Sequence, residues 1–229
     1  MPNPTQDNRN QLILASASPR RVDLLGQIQI SPDHIIPADI DETPKRQELP
    51  TDYAFRMAIE KAKHVAGRLL DKNAELSGNA SAYVLAGDTV VAAGRRILPK
   101  AKTAQQARDC LSILSGRRHR VYGGIALYLP DGKLRQRLVQ SHVCFRRLSA
   151  LDIDQYIDSG DWEGKAGGYA IQGLAARFIR GISGSYSNIV GFSIYDVATM
   201  LDAAGWRHAG HRAGETPVVQ PRQRSKGRL

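Results

Sequence analysis

Thiols are scarce in this chain. Cys110 and Cys144 are the only two cysteines among 229 residues. No metal-ligand spacing joins them, which excludes a disulfide-stapled scaffold and a zinc finger and predicts reduced, packed thiols in a cytoplasmic protein. No apolar run approaches the roughly 18 residues of a membrane span. The N-terminus, MPNPTQDNRN, has neither a basic start nor an apolar stretch, so no secretory signal is expected. The familiar phosphate and nucleophile motifs are missing as well. Gly160, Gly164 and Lys165 mimic a P-loop, but the spacing is one residue short and Ala166 stands where a Ser or Thr would touch magnesium. No GxGxxG follows a strand. Around Ser183 the GxSxG elbow fails because Ser185 replaces the second glycine.

Acidic residues are absent from one stretch, Lys165–Gly191, which instead holds six glycines, three serines, Gln172, Asn188, Arg177 and Arg180. Many donors and no carboxylates suit an anionic, hydrogen-bonding ligand such as a nucleotide, although glycine-rich segments also serve simply as turns. The amide of Gln172 both donates and accepts, as reading the edge of a base requires. The apolar run Leu174–Ile182 reads as a short strand.

What is present in ordinary amount is a core. Hydrophobic residues make up 42% and charged residues 24%, enough for one domain or a two-lobed one. The net charge is +10, but about half the excess lies in residues 207–229. That tail has little apolar content and is expected to be disordered, as are residues 1–10, leaving 11–206 as the folded domain. A basic tail invites nonspecific contact with nucleic acid; the mildly basic remainder suits an anionic substrate equally well.

In chain order, Gln11–Ala15 reads as a buried strand. Ser18 is placed to cap a helix starting at Pro19, which puts Arg20 and Arg21 in its first turn, where cations beside backbone N–H groups form a phosphate site. Ile35–Ile40 reads as a strand ending in an acidic loop, Asp39, Asp41 and Glu42, whose oxygens could hold a hard metal ion. Tyr53–Leu70 has helical periodicity and carries Lys61 near its buried stripe. Tyr83–Ala93 reads as a strand buried on both faces and interrupted at Gly87-Asp88-Thr89. A carboxylate there must be paired, protonated or bound to a cation. Asp88 is thus either a catalytic acid–base group or metal ligand, or a satisfied structural aspartate in a bulge. Thr103–Leu114, Ser149–Ser159 and Tyr195–Ala204 read as helices, and His119–Leu129 with Leu138–Phe145 as a hairpin.

These residues together resemble the Maf family of nucleoside triphosphate pyrophosphatases over about Leu12–Leu201. The matching motifs are SASPRR at Ser16–Arg21, DET at Asp41–Thr43, EKA at Glu60–Ala62, GDTVV at Gly87–Val91, LSG at Leu114–Gly116 with His119 and Val121, and KAGGYAIQG through GSYSNIVG. The resemblance implies an α/β fold (Maf/ITPase-like), a mixed β-sheet flanked by helices, with two lobes around a nucleotide cleft. It implies cleavage of a nucleoside triphosphate to the monophosphate and pyrophosphate with a divalent metal, magnesium or manganese. Asp88 matches the proton acceptor. Arg20, Thr89 and Gln172 match positions tied to substrate choice, while Ser16, Arg21, Lys61, Lys100 and Lys165 match phosphate-side positions. Glu42 and Asp88 match the metal side. Thr89 and Tyr169-Ala170-Ile171-Gln172-Gly173 side with the dTTP/UTP type. Three positions depart from the family pattern: Ala101 where proline usually follows Lys100, Gly87 for alanine or serine, and Phe192-Ser193 for Leu-Pro. A homodimer is compatible with the resemblance. A basic nucleic-acid-binding or division-linked regulatory protein, and a phosphatase acting on monophosphates, are the competing expectations.

Overall fold

The computed structural model describes residues 10–71 and 82–207. The expectations for residues 1–9 and 208–229 lie outside it. A mixed sheet organises the chain: β1 (Gln11–Leu14), β2 (His34–Ile35), β3 (Ala82–Ala93), β4 (Arg96–Leu98), β5 (Arg118–Tyr128), β6 (Leu134–Phe145) and β7 (Ile179–Ser183). The order is β2-β1-β3-β5-β6-β7, with β4 pairing β3 off that path. β1 runs parallel to β2 and β3, and the other pairings are antiparallel. The helices are α1 (Pro19–Gln27), α2 (Pro50–Asp71), α3 (Ala104–Leu114), α4 (Ala150–Asp158), α5 (Tyr186–Val190) and α6 (Ile194–Ala203). No described helix is long and apolar enough to cross a membrane.

α2 lies across one face of the sheet, packing Ala58, Ala62 and Val65 on Val84, Ala86 and Ala126. Its approach is set by glycine. A Cβ on Gly124 of β5 would come within 2.1 Å of the Ala54 carbonyl oxygen, so only a residue without a side chain permits this contact. The other face carries two cores. One gathers α1, α6 and the β1 side of the sheet around Leu14, Leu85, Phe192 and Val197. The other gathers α3 and α4 around Leu111, Phe145, Tyr156 and Phe178. These cores are the centres of the two lobes.

Several local expectations need correction. β3 is continuous through Gly87-Asp88-Thr89, because Gly124 and Gly123 of β5 pair opposite Asp88 and Thr89. There is no bulge there. Of the Ile35–Ile40 region only Ile35 lies in a strand; Ile36 N–H still donates to the Leu14 carbonyl at 3.0 Å, but β1 ends there, and Pro37 has no N–H to donate. In the run Leu174–Ile182, Leu174–Phe178 is a 3-10 turn, and pairing with β6 begins only at Ile179. Ser18 occupies the N-cap of α1, but its hydroxyl caps nothing. Thr103 and Ser149 do cap α3 and α4, the latter in a reciprocal capping box with Asp152.

One edge of β3 is incomplete. β5 pairs the whole of one side, from Val84 to Ala92. On the other side β1 covers Ala82–Leu85 and β4 covers Val91–Ala93. Between them, residues 86–90 have no strand partner among the described residues. Asp88 and Thr89 sit in that gap.

Candidate functional site

A cleft of about 400 Å³ opens at the gap, between the two lobes. Adjacent residues of a strand point to opposite faces, so Asp88 turns toward α2 and Thr89 toward the loop after α5. Both line the cleft, as do Ser16, Arg20, Arg21, Glu42, Lys61, Lys100 and Gln172. Nine of the ten site residues expected from the sequence therefore converge. Lys165 does not line the cleft. Its ammonium turns to Asp161 at 3.4 Å, while the flanking Gly164 and Ala166 supply the wall.

On the α2 side, Lys61 is only 5% exposed and Asp88 3%. Lys61 Nζ donates to Asp88 Oδ1 at 2.7 Å and also lies 2.6 Å from Glu42 Oε1. Glu42 Oε2 accepts from Lys100 Nζ at 2.5 Å. The four groups form one chain of alternating charge across the cleft. Burial acts upward on the Glu42 carboxyl, but the hydrogen bonds from Lys100 and Lys61 outweigh it and hold the group at about 2. The acidic loop is anchored from below, where Tyr53 Oη donates to the Glu42 carbonyl at 2.7 Å and Arg56 bonds both Glu48 and the Thr43 carbonyl. Sequence reasoning missed both anchors; the available signal was Arg56 four residues before Glu60, with Glu48 eight residues upstream.

Ala101, the departure that could have displaced Lys100, does the opposite. Its N–H donates to the Lys165 carbonyl at 3.1 Å, a bond proline cannot make, and its carbonyl accepts from Gly164. Lys100 itself bridges Ala166.

On the Thr89 side, Arg21 is buried without a carboxylate in hydrogen-bond reach among the described residues. Its Nη1 donates to Ser16 Oγ at 2.7 Å, its Nη2 to Thr89 Oγ1 at 3.2 Å and its Nε to the Gly191 carbonyl at 3.1 Å. Burial pushes the guanidinium down from its ordinary value, though an arginine stays charged. Arg20, one position earlier, is half-buried and has no side-chain partner among the described residues. Gly191, whose carbonyl also takes the Thr89 hydroxyl, closes the GSYSNIVG motif, but its role is a backbone one that its residue type does not announce.

The third wall is Tyr169-Ala170-Ile171-Gln172. Tyr169 is buried and its hydroxyl meets His119 Nε2 at 2.8 Å. Burial, then His142, pushes the His119 imidazole down to about 4. Acid should therefore act on stability in two windows. His119 has a lower pKa folded than the 6.5 of a free imidazole, so its contribution is complete above about 6.5 and is lost as pH falls toward 4. Glu42 lies below the 4.5 of a free carboxyl, so its contribution is complete above 4.5 and fades toward 2. Thermal midpoints measured from pH 7 to 2.5 should fall through both windows. Glu42→Gln should flatten the lower and His119→Gln the upper; unchanged slopes would exclude these assignments.

Among the described residues, no group of three or more His, Cys, Asp or Glu side chains is placed to hold a metal ion. Two carboxylate oxygens, from Glu42 and Asp88, nevertheless converge on the single positive centre of Lys61. That donor set fits a small hard dication, which commonly takes one or two carboxylates and completes its shell with water and substrate phosphates.

A family model described as Maf-like protein matches residues 11–204. The chain is 56% identical over 195 residues to the dTTP/UTP pyrophosphatase of Paramagnetospirillum magneticum, an alignment covering 85% of this chain and 97% of that one. It is 53% identical over 197 residues to the dTTP/UTP pyrophosphatase of Mesorhizobium japonicum, covering 86% and 93%. Among solved structures, a HAM1 protein from Coxiella burnetii aligns with 85% of this chain and 99% of its own at 16% identity and a TM-score of 0.45.

Proposed function

This chain belongs to the Maf family, and from that premise we propose that it hydrolyses dTTP and UTP to the monophosphate and pyrophosphate. The observation that carries the reading is the convergence, in one cleft, of a buried carboxylate with the cations Arg20, Arg21, Lys61 and Lys100. A triphosphate brings about four negative charges, which such a set offsets.

In this mechanism Asp88 is the general base. Lys61 occupies Oδ1, and Oδ2 has no protein partner among the described residues, so it is free to receive a proton. A water loses that proton to Asp88 as its oxygen bonds to the α-phosphorus. The bond from that phosphorus to the bridging oxygen breaks, and pyrophosphate leaves with the electron pair. Among the described residues no side chain of the cleft is placed as an activated covalent nucleophile, so direct attack by water is the simplest course. Glu42 and Asp88 would hold the divalent metal, magnesium or manganese, which when bound supplies charge neutralisation on the phosphates and a more acidic water. Arg21 and Ser16 bind phosphate oxygens, with Lys100 and Arg20 at the mouth.

Gln172 reads the base. It is exposed at the cleft rim between Ile171 and Gly173, and its amide can donate to a pyrimidine O4 or O2 and accept from N3–H. Uracil and thymine share that edge; cytosine does not, and a mismatch leaves polar groups unpaired. A nucleotide panel with pyrophosphate detection, with magnesium and with EDTA, tests the proposal: dTTP and UTP should turn over well, dCTP and dATP poorly, and EDTA should stop the reaction. Orthophosphate as the first product would instead mark a phosphatase. Gln172→Ala should narrow the gap in kcat/KM between dTTP and dCTP; an unchanged gap removes Gln172 from base reading.

A further inference from the structure

Gly87 and Phe192 meet each other in space. A Cβ on Gly87 would lie 2.3 Å from the Phe192 ring and 3.0 Å from the Gly124 carbonyl oxygen. The phenyl ring thus occupies the volume that any side chain at position 87 would need. Phe192 is 1% exposed, so the ring has no room to withdraw without disturbing Leu14, Leu85 and Val197 around it.

The ring also touches the site. The Arg21 guanidinium carbon stands 5.1 Å from the ring centroid, within the range of a cation–π contact. The residue before Phe192 is Gly191, whose carbonyl accepts from Arg21 Nε and Thr89 Oγ1. Every other partner of Arg21 is a neutral oxygen. A buried cation needs preorganised support to stand ready for an anion, and the ring face supplies it without competing for the ligand, as a carboxylate would.

We propose that Phe192 is a positioning residue for Arg21, and that it fills this role only because residue 87 is glycine. The inference rests on the proposed role of Arg21 in holding phosphate. It assigns the pair Gly87 and Phe192 a share in ligand affinity, beyond packing.

The test is a double-mutant cycle of Gly87→Ala and Phe192→Leu in the full chain, read in three ways: thermal midpoint, the Kd of inorganic tripolyphosphate, and kcat and KM for dTTP. Phe192→Leu should weaken tripolyphosphate binding and raise KM by about 3- to 30-fold, the span of cation–π contacts, while kcat changes much less. Gly87→Ala should lower the midpoint because the methyl meets the ring. The double variant should recover stability relative to Gly87→Ala, since leucine yields space, but should not recover affinity. Phe192→Met, which keeps volume without a π face, should also lose affinity. Tripolyphosphate affinity unchanged in both Phe192→Leu and Phe192→Met, or restored in the double variant along with stability, would reduce Phe192 to packing and overturn the proposal. Because this affinity is measured without turnover, an enzyme inactive on every nucleotide would refute the proposed reaction, while the tripolyphosphate titrations would still decide the role of Phe192.

Discussion

Asp88→Asn should lower kcat by about 100- to 10,000-fold, the usual consequence of losing a general base, with the thermal midpoint lowered much less. The substitution keeps the shape and keeps an acceptor for Lys61, so the hydrogen bond from Lys61 Nζ at 2.7 Å can persist. What disappears is the oxygen that takes the proton of water. Glu42 is a poor replacement, because its pairing with Lys61 and Lys100 holds its carboxyl at about 2, too weak a base to take that proton. Single-turnover hydrolysis of dTTP, with binding measured separately by titration, separates lost chemistry from lost affinity. Turnover within a few-fold of the unmodified enzyme would reduce Asp88 to a structural partner of Lys61. The less conservative Lys61→Met should behave differently, because it strips a buried carboxylate of its counter-charge and should destabilise the fold as well.

The second large effect is expected at a residue that has no side chain at all. Gly124→Ala would place a methyl 2.1 Å from the Ala54 carbonyl oxygen, 2.8 Å from its carbonyl carbon and 3.1 Å from the Ala58 side chain. Two of those atoms are backbone and cannot rotate away, so α2 has to lift from the sheet. Overpacking of this kind costs about 1–3 kcal/mol or more, and the rigid contact puts Gly124 at the upper end. In a domain of this size that is a fall of about 6–12 °C in Tm. Activity should fall too. Lys61 lies on α2 two turns beyond Ala54, and Gly124 is the register partner of Asp88, so the same lift stretches the Lys61–Asp88 pair. A displacement near 1 Å can cost about 100-fold in rate. Calorimetry together with kcat/KM checks both halves; a variant that melts and works like the parent would show that α2 is not held by this contact.

The residues of the cleft differ in how plainly the chain announces them. Asp88 was legible because a carboxylate inside an apolar strand has few stable explanations. Lys61 was legible because helical spacing put it beside a buried stripe. Glu42 was not separable from its neighbours by composition: Asp39 and Asp41 are equally acidic, and only the fold turns Glu42 inward while Asp41 accepts from its own loop at Thr43. Lys165 is placed on the phosphate side by the KAGGYAIQG motif that it opens, yet a long side chain takes its direction from what it meets, and here it meets Asp161. The gap in the edge of β3 had no sequence signature at all. It arises because β1 stops at Leu14 and β4 ends at Leu98, two local events whose consequence appears only when both strands lie against the same edge. The fit of the Phe192 ring against Gly87 is likewise a relation between positions 105 residues apart, neither of which by itself points to the other.

The support of Arg21 also sets a timetable. Its Nε partner, the Gly191 carbonyl, lies 170 residues downstream, and the ring beneath it belongs to the next residue. During synthesis the first helix emerges early, but its buried cation has no seat until nearly the whole domain has left the ribosome. A truncated or stalled product would hold Asp88 and Lys61 yet lack the far wall, so it would carry the chemistry without the grip. Given the role proposed for Arg21, catalysis is a property of the finished chain, and a half-made enzyme is expected not to consume nucleotides.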